Sequence, residues 1–384
     1  MQADTPTTFK ESGTPSGQVI KAGFVMEQDV GHAVQALHIK RETDSYSGMV
    51  SRHVAVTFYK EEGLIEHVRP VPSYIRAASR ARLEVVAGLK GFRPDVLLWN
   101  TQKPAMFCPD VLRAIPSLIS LDVTPHQYDE FGEAYGHTPD GHGFIARSKH
   151  AFNRWVFQQA KHIIPATQWV ADSLIADYGV DPARITVIPP GTDVCRFAPP
   201  ASRPSEVDGV VRILFVGGDF IRKGGDLLVE WMRTSPLAER CQLDLVTQDQ
   251  SIAHPRIRTY RLSHDSDLLA RLYSEADIFV LPTRAECFGL VLTEAMAAGV
   301  PVVSCRVGGL GEVVDHNSTG LLVPPNDPSS LDKALATLVN DADLRRRMGE
   351  AGRRIAEERF DAHRNVARII ETMRDVAWAG HEGD

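Results

Sequence analysis

From Val19 onward the chain alternates short apolar runs with longer segments whose apolar positions recur at helical spacing. In the first half the runs are Val19 to Met26, His53 to Tyr59, Asp95 to Asn100, Ser117 to Leu121, His162 to Ala166 and Ile185 to Ile188. Further runs begin at Val211, Cys241, Ile257, Ile278, Val302 and Leu321. Such runs separated by helical stretches predict parallel strands, because a sheet covered by helices on both faces buries them completely. The expected class is α/β, with open parallel sheets.

Between the two sets, residues 188–204 carry Pro189-Pro190-Gly191 and Ala198-Pro199-Pro200-Ala201, and proline confines that stretch to extended conformations. It reads as a crossover between a first domain at 19–204 and a second at 205–360, with 361–384 as a closing helix. Past Asp327, Ser329 to Asn340, Asp343 to Arg359 and Ala362 to Trp378 are rich in Ala, Leu, Glu and Arg and predict helices. Residues 1–18 are polar, rich in Thr, Ser, Pro and Gly, and predict a disordered tail.

Composition narrows the picture. The 384 residues suit two domains, and the 43% apolar content is enough for two cores. A net charge of -7 argues against a nucleic-acid partner, whose footprint is a basic face. Cys108, Cys195, Cys241, Cys287 and Cys305 show no C-x-x-C spacing, which disfavours a zinc site or a disulfide scaffold and fits a reducing compartment. No apolar run reaches the ~20 residues that span a bilayer, so a cytoplasmic location is expected. In Arg147 to Lys161 the spacing of Phe152, Trp155, Val156 and Gln159 predicts an internal stripe. The accompanying Arg147, Lys149, His150, Arg154 and Lys161 leave peripheral contact with an anionic membrane as the alternative.

Candidate chemistry concentrates in Thr283 to Gly299, T-R-A-E-C-F-G-L-V-L-T-E-A-M-A-A-G. Ala276 to Thr283 reads as a buried strand and Val291 to Ala298 as an unbroken helix, so the chain turns near Gly289. A helix start gathers N–H groups and the positive end of the dipole, and glycine admits a ligand to the backbone. A diphosphate is therefore expected on Phe288, Gly289 and Leu290. Two carboxylates, Glu286 and Glu294, flank this start. Eight residues on one helix span ~12 Å, about the distance from a hexose to a ribose across a pyrophosphate. Glu286 would face hexose hydroxyls, and Glu294 would accept from both hydroxyls of a ribose diol. Cys287 reads as a small buried filler.

In Val211 to Asp226, V-R-I-L-F-V-G-G-D-F-I-R-K-G-G-D, a strand enters a Gly-rich turn that carries Arg222 and Lys223. No Ser or Thr follows Lys223, so this is not a P-loop.

The Glu pair has E-x7-E spacing, and Gly299 to Ser304 (G-V-P-V-V-S), Gly308 to Leu310, Glu312 to Val314 and Thr319 to Asp327 follow it. In this order the segments resemble the GT-B glycosyltransferases of family 4, the retaining group-1 type. Ala166 to Phe197 also resembles the family just before its interdomain linker, where Pro189, Pro190 and Gly191 fix a turn and Asp193 satisfies local N–H groups. The resemblance implies two Rossmann-like domains whose parallel sheets face a central cleft, with the last helix returning to brace the first. It further implies transfer of a hexose from a nucleotide-diphosphate sugar to a hydroxyl acceptor, with retention and with neither cofactor nor metal. Arg222 and Lys223, after Gly218 in the turn, would bind the donor diphosphate.

The first domain departs from that pattern. Glu27 to Lys40 holds only Gly31 where relatives carry two or more glycines, and Gly31 is expected to let the backbone approach the donor phosphate. His32 and His38 read as ordinary polar positions on a packed helix. In Ser117 to His142 a strand ends at Leu121 and delivers Asp122 to the carboxyl edge of the sheet, where ligands of open α/β domains bind. Relatives place a His and then an Asp there, and Leu121 stands in the place of the His. Asp122 or His126 is therefore expected to orient or deprotonate the acceptor hydroxyl, with Tyr128, Asp129 and His137 lining the acceptor side. Glu286 would ease charge on an oxocarbenium-like sugar, while Arg222, Lys223 and the helix start stabilise the leaving phosphate.

A GT-B nucleotide-sugar epimerase and a non-catalytic nucleotide-sugar binding protein would keep the same cleft and stay open as alternatives. A phosphorylase would carry a pyridoxal-linked Lys, for which no motif is visible. A dehydrogenase fits worst, since no G-x-G-x-x-G follows the first strand. The partners expected are a nucleotide-sugar donor and a hydroxyl acceptor, the chain acting as a monomer or homodimer.

Overall fold

A computed structural model describes residues 19–28, 30–59, 65, 73–139, 141, 143–200, 209–248 and 252–381. The tail expected over 1–18 lies outside them. Among the described residues the strands form two sheets, parallel throughout, and the sheets belong to successive parts of the chain.

The first sheet contains β1 (Ile20–Glu27), β2 (Met49–Val56), β3 (Val96–Trp99), β4 (Ser117–Leu121) and β5 (His162–Pro165), in the order β2-β1-β3-β4-β5. Two expectations shift here. The second strand starts at Met49 rather than His53, because Met49 pairs with Ile20, and the sheet's two faces bury Met49 on one side and Val56 on the other. It stops at Val56, ahead of Phe58, which sits at φ 54°. Ile185 to Ile188 is not a strand. It hydrogen-bonds along β5 through an isolated bridge between Ile163 and Ile185, and Pro189 and Pro190 then remove the donors a ladder would need.

The second sheet contains β6 (Val211–Val216), β7 (Cys241–Val246), β8 (Ile257–Tyr260), β9 (Ile278–Leu281), β10 (Val302–Cys305) and β11 (Gly320–Val323), in the order β11-β10-β9-β6-β7-β8. The order reverses between β6 and β9, as it does between β1 and β3 in the first sheet. Reversals place a crevice beyond the carboxyl ends of the central strands, since the two following loops diverge to opposite faces.

Two connections cross between the lobes side by side. Thr192 N–H donates to the Phe360 carbonyl at 2.7 Å, and Ala362 N–H donates back to Thr192 at 3.0 Å. The approach is so close that a Cβ on Gly191 would lie 2.1 Å from Ala362 Cα. Past this point the helix Ala362–His381 lays Val366, Ile369, Ile370, Met373 and Ala377 against Ile20, Ala22, Phe24 and Met26 of the first sheet. Asp193 accepts from Arg196 N–H at 2.9 Å and also pairs with Arg41 at 3.2 Å.

The helix Phe144–Gln159 buries Asn153, Val156 and Phe157, with Ala160 continuing the line at its end. The internal stripe is thus one residue out of register with Phe152, Trp155, Val156 and Gln159: Phe152 is exposed and stacks on the half-buried Trp155. The first turn extends outward, leaving Phe144 77% and Ile145 70% accessible. No described helix is long and apolar enough to cross a membrane.

Candidate active site

The residues expected to hold the donor lie where β6 and β9 end. Arg222 and Lys223 lie on the turn after β6, and the loop after β9 is stitched to it: Thr283 Oγ1 and Arg284 N–H both donate to the Arg222 carbonyl, at 3.2 and 2.8 Å. Asp219 fixes the turn from within, accepting from Arg222 N–H at 3.1 Å and from its Nε at 2.9 Å. Arg222 Nη1 donates to the Ala285 carbonyl at 3.0 Å. Lys223 pairs directly with Glu286, which is 8% exposed. One cation and one carboxylate are therefore a single unit at the junction of the two loops.

Glu286 lies in the loop, and the helix Leu290–Ala297 begins only after Gly289, which caps it at φ 78°. That left-handed backbone suits glycine, since a Cβ there crowds the following carbonyl and would lie 3.0 Å from the Leu292 and Leu310 side chains. A helix start leaves its first N–H groups without carbonyls of an earlier turn, and of these Leu292 N–H donates to the Gly289 carbonyl at 2.9 Å. Phe288 turns its side chain into the core against Phe360, which leaves the side chain unavailable to a ligand. Gly218 is exposed, and neither Gly218 nor Gly31 has an atom within 4 Å of where a Cβ would be.

Glu294 is more enclosed than the sequence suggested, at 2% exposure. Tyr273 donates to its Oε2 at 2.7 Å, and His264 Nε2 lies 2.9 Å from its Oε1. Each carboxylate oxygen offers two lone-pair directions, so one per oxygen remains for a diol. His264, 28% exposed at the side chain, is the solvent-facing side of this arrangement.

Opposite stands the carboxyl edge of the first sheet. Asp122 follows β4 with its side chain 34% exposed. It does not cap the next helix: Thr124 caps Pro125–Glu130 in a capping box with Gln127. The group beside Asp122 is His32, whose Nε2 lies 4.0 Å from Oδ1. His126 instead turns to Glu130 at 3.9 Å, with its side chain 53% exposed. Asp129 and His137 form a pair at 2.7 Å, and Tyr128 packs between the rings of His137 and Tyr135.

Sequence reasoning passed over three residues. His32 was read as an ordinary helix position, although it directly follows Gly31 at the edge of the cleft. Tyr135 reaches across the cleft, its hydroxyl 3.4 Å from Cys287 Sγ and its ring 4.5 Å from the Arg222 guanidinium carbon. Glu27, fully buried at the end of β1, accepts from Thr101 Oγ1 and from Lys103 at 3.3 Å. The polar run Asn100-Thr101-Gln102-Lys103 after an apolar strand was the available signal. His38, meanwhile, is buried beside the interlobe connection, 3.2 Å from the Gly191 carbonyl, and burial lowers its pKa. Burial raises the Cys287 thiol well above its usual range, so it stays a neutral filler.

Among the described residues no group of three or more His, Cys, Asp or Glu is arranged to hold a metal ion. A family model of glycosyl transferases group 1 matches residues 203–355, and a model of glycosyltransferase family 4 matches residues 30–196. Glycogen synthase of Mycobacterium tuberculosis is 31% identical over 297 residues, which span 73% of this chain and 68% of that protein. The chain belongs to the GT-B glycosyltransferases of family 4. Sucrose-phosphate synthase from Thermosynechococcus elongatus superposes with a TM-score of 0.75 at 19% identity, covering 94% of this chain and all of that one. Anabaena HepE, solved in complex with UDP-glucose, gives 0.65 at 18% identity over 93% of this chain and 100% of its own. At those identities the likeness is one of fold. The glycosyltransferase has the two parallel-sheet lobes of the GT-B architecture, and its E-x7-E pair sits where the second lobe opens to the first.

Proposed function

We propose that this glycosyltransferase moves a hexose from a nucleotide-diphosphate sugar to a hydroxyl acceptor with retention of anomeric configuration. One observation carries the reading: the Lys223–Glu286 pair, Arg222 and the helix start at Gly289 converge on one edge of the cleft, facing Asp122 on the other. HepE, a neighbour in fold, holds UDP-glucose, which supports a nucleotide-sugar donor.

In this reading the bond between the anomeric carbon and the diphosphate oxygen breaks while the acceptor oxygen bonds to the same face. Arg222, Lys223 and the helix N–H groups stabilise the negative charge gathering on the departing diphosphate, without a metal. Glu286 holds hexose hydroxyls and eases positive charge on the ring carbon. Glu294 holds the ribose. Asp122, with His32 in the place first given to His126, orients the acceptor hydroxyl and takes its proton. Water is kept from the donor by closure of the lobes. The test is NMR of the product: a new anomeric signal of the same configuration as the donor is expected. An inverted signal overturns retention, and conversion of the donor without any acceptor favours the epimerase.

The exposed Phe144, Ile145 and Phe152, alternating with Arg147, Lys149 and Arg154 on one helix, support a peripheral contact with anionic lipid. Co-sedimentation with phosphatidylglycerol vesicles, lost in Phe144→Ser/Ile145→Ser, is the expected result. Equal binding to neutral vesicles, or none, excludes it.

A further inference from the structure

We infer that Tyr135, supplied by the first lobe, is a positioning residue for the donor, setting the plane of the Arg222 guanidinium that grips the diphosphate. This rests on the reading of Arg222 as a phosphate ligand. Within its own lobe Arg222 is held at two points in the plane of its fork, by Asp219 at Nε and the Ala285 carbonyl at Nη1. Two in-plane contacts fix how far the fork reaches but leave its tilt about the line joining them to be set by whatever covers its face. Tyr135 covers that face, 4.5 Å from the ring centroid to the guanidinium carbon, and the Arg222 side chain is 14% exposed. A cation over a ring in a partly desolvated place is attracted to the negative face of the quadrupole.

Tyr135 is itself fixed. It ends the 3-10 turn Gly132–Tyr135, which Gly136 closes at φ 64°. Its ring packs on Tyr128 at 5.1 Å and Phe131 at 6.3 Å, and its hydroxyl meets Cys287 beside Glu286. The segment behind it is braced by the Asp129–His137 pair. Residues expected to line the acceptor side, Tyr128, Asp129 and His137, thus form the support of a side chain that reaches the donor side. The consequence is a link between the lobes: the diphosphate grip is complete only while the first lobe lies against the second.

The test is titration calorimetry of the full chain with UDP, GDP and ADP, following whichever binds most tightly. Tyr135→Leu is expected to weaken binding about five- to thirtyfold, and Tyr135→Phe, which keeps the ring, to bind as the parent does. In Arg222→Ala the affinity falls, and adding Tyr135→Leu to it costs nothing further, because the ring acts through the guanidinium. If Arg222→Ala weakens binding while Tyr135→Leu does not, or the two losses add in full, the positioning role is wrong and the donor site stands. A Tyr135→Phe loss equal to that of Tyr135→Leu assigns the effect to the Cys287 contact and also overturns it. Unchanged affinity in Arg222→Ala removes the phosphate reading and this inference together.

Discussion

Tyr273, on the helix Asp267–Glu275, donates its hydroxyl at 2.7 Å to Glu294 on the helix Leu290–Ala297. Tyr273 is fully buried, and burial with the adjacent carboxylate raises its pKa well above the ordinary phenol value. It therefore remains a donor at any working pH, and Glu294 remains an oriented acceptor.

Tyr273→Phe keeps the ring and removes that bond. Donor affinity is expected to fall about five- to tenfold and stability by about 1 kcal/mol. Calorimetry and urea unfolding read both. Full donor affinity in the variant means that Glu294 is oriented by other contacts.

Asp122→Asn is expected to lower kcat by about a hundredfold or more with little change in donor affinity, because an amide cannot take a proton. His32→Gln should lower kcat less, by about tenfold. Release of nucleoside diphosphate measures both. A loss confined to donor affinity moves Asp122 to the donor side, and His126→Gln with a larger effect than His32→Gln restores the first expectation.

The second lobe was legible because its chemistry is local. The strand, the glycine turn and the helix that present Glu286 and Glu294 follow one another within residues 276–299, so periodicity alone orders them. The first lobe was less so. His32 meets Asp122 only because the sheet sets β1 and β4 on either side of β3, strands distant in sequence, and Tyr135 meets Arg222 only when two lobes touch. No spacing rule encodes either. The register of Phe144–Gln159 slipped by one because Asn153 is buried and Phe152 is not; the Asn153 amide nitrogen donates to the Lys149 carbonyl at 3.1 Å, while its Oδ1 is buried without a partner. Ile185 to Ile188 has strand composition, yet the prolines that follow deny it a ladder.

Stability should fall as pH drops below about 6.5. His38, His53 and His162 all have pKa values lowered from 6.5, in each case chiefly by burial. The unfolded chain then binds protons that the folded one refuses, so stability is full above 6.5 and declines as pH falls toward the folded values. Melting temperatures between pH 8 and 5 test this, and His38→Asn should lessen the slope. A melting temperature that rises on acidification through this range contradicts it.

Ile370→Ala removes a buried side chain, 3% exposed, at the contact of the last helix with the first sheet. A loss of about 2–4 kcal/mol is expected. Chemical denaturation reads it, and a loss under about 1 kcal/mol would mean that the helix contributes little bracing.

The central claim is that an acid-and-cation cleft binds a nucleotide-diphosphate sugar. Thermal-shift titration with UDP-glucose, UDP-N-acetylglucosamine, GDP-mannose and ADP-glucose tests it most directly, since a ligand of the folded state raises the melting temperature with its concentration. At least one of these should produce a concentration-dependent rise that collapses in Glu294→Gln, whose amide accepts at a single atom. A rise that persists undiminished in that variant, or no rise with any of the four, contradicts the account.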